Sequence, residues 1–187
     1  MNCLRLNGLL LFVLACALSL LAAQPDEWRT YRNEKFSYEL QYPAGWKVIE
    51  ARQRTDDTPP ADGHVLFPGL FQQVTFQEPG GKIWPGESVV QVSEHVEGQT
   101  LDEWADKSFA GMDDESLVSD AEDTILAGRA ARLFSVFGFD HTAIVVAFVH
   151  DGKIYEIGYV GSSPNDPDIA EHRAIYEHMK QSFRLVP

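Results

Sequence analysis

The chain has 187 residues and a formal net charge of −13, from 28 acidic against 15 basic side chains. A surface of that sign repels nucleic acid and anionic lipid headgroups, which argues against both as partners and suits a basic protein, cations or plain solubility. A hydrophobic share of 44% with 11 Phe speaks against a disordered chain, and the length is enough for one domain with a real core.

Met1 to Ala23 carry a single charge, Arg5, and an almost unbroken apolar run from Leu9 to Ala23. A basic start, a short apolar stretch and small residues at its exit are the layout of a secretory signal peptide. Leu21-Ala22-Ala23 before Gln24-Pro25 places the cut between Ala23 and Gln24. The stretch is shorter than the roughly 18 or more apolar residues that span a bilayer, so no membrane insertion is expected after cleavage. A rival site lies at Cys16, because Val13-Leu14-Ala15-Cys16 resembles a bacterial lipobox, and lipidation there would leave an anchored lipoprotein. Against it, Ala17 to Ala23 stays apolar where a mature lipoprotein usually turns polar. The expected product is an exported, periplasmic or extracellular protein of residues 24–187, a single domain with net charge −14 once Arg5 is gone. Cys3 and Cys16, the two cysteines of the chain, both fall in the leader, so the mature domain is expected to be held by its core without a disulfide.

Residues 24–32 read as a lead-in. Phe36 to Tyr42 alternates apolar and polar, the period of a strand with one face on a core. Pro43-Ala44-Gly45 makes a turn, and Trp46-Lys47-Val48-Ile49 begins a second strand. Tyr42 to Trp46 is read as a turn with Trp46 plugged into the core in preference to an aromatic recognition patch. Residues 51–63 are polar and Pro-containing, a surface loop. His64 to Phe76 and Ser88 to Val96 read as strands, the second rich in valine. Trp84 lies in the Gly- and Pro-rich loop between them, and it is the residue singled out as a candidate partner contact.

Thr100-Leu101-Asp102-Glu103 is a capping box that opens an amphipathic helix ending near Gly111. Three strands follow, at Ala130 to Phe139, Thr142 to His150 and Lys153 to Val160. The last two are joined by Asp151-Gly152, a favoured two-residue hairpin turn. A final helix is expected over roughly Asp168 to Phe183, with Asp168 and Glu171 at cap-and-box spacing and Ile169, Tyr176, Met179 and Phe183 as its apolar stripe. Strands linked by short turns and followed by helices predict an α+β domain with an antiparallel sheet.

Several of these segments resemble the PsbP-like domain family. They are Phe36-Ser37-Tyr38 through Tyr42-Pro43-Ala44-Gly45-Trp46, the helix start at Thr100 to Trp104, and the step Leu126-Ala127-Gly128-Arg129-Ala130-Ala131. Gly152-Lys153-Ile154-Tyr155-Glu156-Ile157 and the closing Ser182-Phe183-Arg184 complete the pattern, which covers nearly all of residues 24–187. The resemblance implies a central antiparallel sheet of about six to seven strands between helices, an α/β/α sandwich. The family includes an extrinsic photosystem II subunit, a Ran-binding import factor and secretion adaptors, so the resemblance implies binding to another protein without chemistry. No ligand set of those members maps onto this chain, and a shared fold does not choose among such partners.

The residues themselves name no catalytic group. There is no Gly-x-Ser-x-Gly, no phosphate-binding loop and no dinucleotide fingerprint. Of the histidines 64, 95, 141, 150, 172 and 178, no pair makes His-Glu-x-x-His. His172 and His178, six apart, point about 120° from each other on a helix and cannot share an ion. His141 and His150 fall on what read as adjacent strands, where they could be neighbours. The acidic clusters lack EF-hand spacing. The expectation is therefore a non-enzymatic protein-binding or accessory module with no metal and no cofactor. The alternatives are a small-ligand or metal-ion binding protein, or a small envelope hydrolase whose groups assemble from distant residues.

Overall fold

The computed structural model describes residues 25, 27–53, 65–66, 69–80, 87–109, 117–118, 121–137, 141–162 and 169–187. In chain order these form β1 (Trp28–Asn33), β2 (Tyr38–Pro43), β3 (Lys47–Glu50), β4 (Arg52–Gln53), β5 (Val65–Leu66), β6 (Leu70–Gln77) and β7 (Glu87–Glu94). Then come α1 (Leu101–Phe109), β8 (Leu117–Val118), β9 (Glu122–Leu126), β10 (Arg129–Phe137), β11 (His141–His150), β12 (Lys153–Ser162), α2 (Ile169–Ser182) and β13 (Arg184–Leu185).

The main sheet is antiparallel with the order β3-β6-β7-β12-β11-β10-β8, and β9 pairs with another stretch of β10. Its centre is the β11–β12 hairpin, in register from His141↔Ser162 to His150↔Lys153. Asp151 (φ 48°) and Gly152 (φ 67°) form the expected turn, whose positive φ angles match the twist of the flanking strands. The step from β9 to β10 uses the same device, with Leu126 opposite Arg129 across Ala127 (φ 52°) and Gly128 (φ 71°). A second sheet has the order β1-β2-β13, and β4 pairs with β5 in parallel.

Alternation along the central strands sends apolar side chains to both faces of the main sheet. On one face Tyr155, Ile157 and Phe148 meet Tyr38 and Leu40 of the small sheet and Tyr176 of α2. Buried phenol groups fasten the layers. The Tyr155 hydroxyl donates to the Phe36 carbonyl (3.1 Å), that of Tyr176 to the Ile157 carbonyl (3.3 Å), and that of Tyr38 to Gln72 Oε1 (3.1 Å). On the other face Ile154, Ala147 and Phe134 pack under Trp104 and Ala105 of α1. The capping box closes as expected: Glu103 N–H donates to Thr100 Oγ1 (3.2 Å) and Thr100 N–H to Glu103 Oε2 (2.8 Å). Arg132 of β10 ties α1 down through paired bonds to Asp102, both at 3.0 Å.

Three expectations change. Residues 28–33 are a strand, β1, where a lead-in was expected; its burial does not alternate, so no period of two marks it. The span His64 to Phe76 holds two strands, β5 and β6, with Gly69 at φ 85° before the second. The architecture is also more β than an α/β/α sandwich. The main sheet has eight strands, and one of its faces is covered by a three-stranded sheet together with α2. Among the described residues a single nine-residue helix, α1, lies on the other.

Candidate functional site

A concave site lies where the end of β2, the start of β3, the end of β6 and the first turn of α2 converge. Pro43 to Trp46 is a tight turn closed by a bond from the Trp46 N–H to the Pro43 carbonyl (3.0 Å). The Ala44 N–H is tied to the Glu27 carbonyl (3.0 Å), which fixes the chain just before β1 against the turn. Trp46 is half-buried, one side against the main core and the other in the cleft. The sequence reading of Trp46 as a core plug is thus half the picture.

The opposite wall comes from α2. Its apolar stripe buries Ile175, Tyr176 and Met179, with Phe183 just past its end, and Ile175 also lines the cleft. With Ile175 turned inward, His172 one turn earlier faces Trp46, ring centroids 6.3 Å apart and edge to face. His172 Nε2 lies 3.3 Å from Glu78 Oε2, joining α2 to the end of β6. The cleft has a volume of about 360 Å³, at the lower end of ligand-sized sites. Its charged lining is Glu27, Glu78 and Glu171 with His172; neither Lys nor Arg takes part among the described residues.

A second polar feature occupies the other face of the sheet. Glu156 on β12 stands between Ala147 and Gln91, and the Gln91 amide donates to Gln73 Oε1 (3.3 Å). The row is only partly open to solvent, and desolvation pushes the Glu156 carboxyl up to about 7 from an ordinary 4.5. No hydrogen-bond or ionic partner for this carboxyl occurs among the described residues.

The histidines separate as the spacing predicts. His172 lines the cleft, whereas His178 stacks on Trp28 (centroids 3.7 Å) with Nε2 2.9 Å from Gln41 Oε1. His141 and His150 do not lie on adjacent strands; they are the two ends of β11, nine residues apart along an extended strand. Among the described residues no three His, Cys, Asp or Glu side chains could hold one metal ion. Trp84, Ala23, Gln24 and Cys16 lie outside the described residues, as do the 51–63 loop beyond residue 53, His64 and Asp168.

No family model and no curated protein matches the sequence. Among solved structures the chain is similar to cyanobacterial PsbP (CyanoP) from Synechocystis, at a TM-score of 0.55 and 15% identity, over 87% of this chain and 95% of that one. It is also similar to a crystal structure from Bacteroides thetaiotaomicron, at a TM-score of 0.48 and 10% identity, over 85% of this chain and 48% of that one. The chain therefore has the PsbP-like fold that its sequence motifs imply. At such identity the likeness extends to the fold alone.

Proposed function

We propose that this chain is an exported, non-enzymatic module that binds another protein, and that it does so with the face carrying the Trp46 cleft. One observation carries the reading: a half-buried Trp stands in an open cleft whose walls are a hydrogen-bonded turn and a helix end already packed on the core. Tryptophan in a preformed recess is the residue type that dominates interface energetics, because it contributes a large area at little conformational cost. Pro25, Pro43 and Pro79 stiffen the rim further.

Export is part of the proposal and rests on the leader at residues 1–23. No helix of the described residues is long and apolar enough to cross a membrane. Processing after Ala23 gives a free product, and processing at Cys16 would give the same domain on a lipid anchor.

Site-directed photocrosslinking in the native envelope tests the binding reading. A photoreactive phenylalanine at Ala44, on the cleft, should give one discrete adduct at near-stoichiometric yield. The same probe at Lys107, exposed on α1 across the sheet, should give none. Equal adducts from both positions, or none from either, would refute it. The Trp84 contact expected from the sequence belongs to the same proposal, and a Trp84→Ala background should lower the adduct yield.

A further inference from the structure

We infer that the Trp46 cleft receives the cationic side chain, Lys or Arg, of a basic partner segment. The inference rests on the protein-binding reading above and names the chemistry that the cleft recognises.

Charge is the first reason. Glu27, Glu78 and Glu171 surround the cleft, and His172, its lone basic group among the described residues, is engaged by Glu78. That leaves Glu27 and Glu171 to face an incoming group. The carboxylates do not converge with His172 into a cluster that could hold one metal ion. Charges spread around a rim match a guanidinium or an ammonium on an aliphatic stem better than a point ion.

The aromatic wall is the second reason. An indole face attracts a cation through its quadrupole, and Trp is the strongest side chain for this. Trp46 and the prolines also supply apolar surface for the methylenes behind the charge, so one long basic side chain would use both parts of the lining. At about 360 Å³ the cleft has ample room for one such side chain.

Long-range electrostatics is the third. With a net charge of −13 over the chain, a basic partner is steered toward the surface and an acidic one is repelled.

The test is NMR titration of the protein with capped Ala-Arg-Ala and Ala-Lys-Ala tripeptides, with norleucine and glutamate versions as controls. The basic peptides should shift the Trp46 indole N–H and the Glu27 and Glu171 amides, with saturation in the millimolar range expected of one anchored side chain. Glu171→Gln should weaken binding severalfold and should fold normally, because Glu171 is exposed. Raising the salt should weaken it as well. Equal response to the norleucine peptide, or no response to any peptide in a protein with an intact spectrum, would overturn the inference.

The two readings fail separately. A position-specific crosslink at Ala44 without a peptide response removes the cation site and keeps the protein-binding module. A peptide response without a crosslinked partner keeps a cation site and removes the protein-binding reading.

Discussion

Replacing Glu156 with Gln is expected to raise stability at alkaline pH and to leave it unchanged in acid. The carboxyl titrates near 7 in the folded chain against an ordinary 4.5, because its surroundings on β12 withhold water from the anion. Between those two values the folded protein keeps a proton that the unfolded chain has released. Stability therefore falls as pH rises through this window and is level above it. The full difference corresponds to up to about 3 kcal/mol at 1.36 kcal/mol per pH unit. Glutamine keeps the size and polarity of the side chain beside Gln91 but has no proton to lose. Urea unfolding followed by tryptophan fluorescence, at about pH 4.5 and about pH 8, measures both ends of the window. The variant should match the parent within about 0.5 kcal/mol at the acid end and exceed it by about 2–3 kcal/mol at the alkaline end. An equal change at both pH values, or a loss at about pH 8, would refute the argument, since it would mean that the ionised carboxylate is satisfied in the fold.

Trp104→Ala should cost about 3–5 kcal/mol in thermal unfolding, because Trp104 is 7% exposed and its loss opens a cavity against Phe134 and Ile154. Amide exchange in α1 should rise with it, while the cleft, on the far side of the sheet, keeps its peptide response. Gly128→Ala should cost about 1–2 kcal/mol: a Cβ there meets no atom within 4 Å, so the whole effect is the strain of φ 71° in the β9–β10 turn. Urea midpoints for the two variants measure both losses, the first from an enlarged void and the second from backbone strain.

What was legible in the sequence follows from how local the physics is. The Asp151-Gly152 turn and the Thr100 capping box are set by residues within four positions of one another, and both stand where the spacing puts them. The stripe of α2 was readable because burial follows the helical period, with Tyr176, Met179 and Phe183 all inside. β1 escaped because Trp28, Tyr31 and Asn33 are the half-buried positions, a spacing that neither a strand nor a helix predicts. The Ala127-Gly128 hairpin was hidden by an alanine in a conformation L-residues rarely adopt. The candidate site was the least visible part. His172 and Glu78 are 94 positions apart and meet only once α2 has packed across the end of β6. Glu156 alternates with Tyr155 and Ile157 as a solvated residue would, and only the partial enclosure of that sheet face makes its carboxyl unusual.

The ends of the main sheet carry a consequence for how this molecule meets others. At one side stands β3, four residues long and opened and closed by exposed Lys47 and Glu50. At the other, β10 is capped by two-residue β8 and by β9, which begins with exposed Glu122 and Asp123. Short, charged outer strands offer a poor template for a visiting chain, because few free amides line up and charged side chains interrupt them. Backbone pairing, the commonest way for a sheet to recruit an extended peptide, is thereby discouraged at both described borders. The same borders discourage edge-to-edge association between copies of the chain. In the proposed binding mode recognition falls to side chains in a recess, whose specificity can be retuned by a few substitutions around one turn and one helix end while the sheet stays as it is.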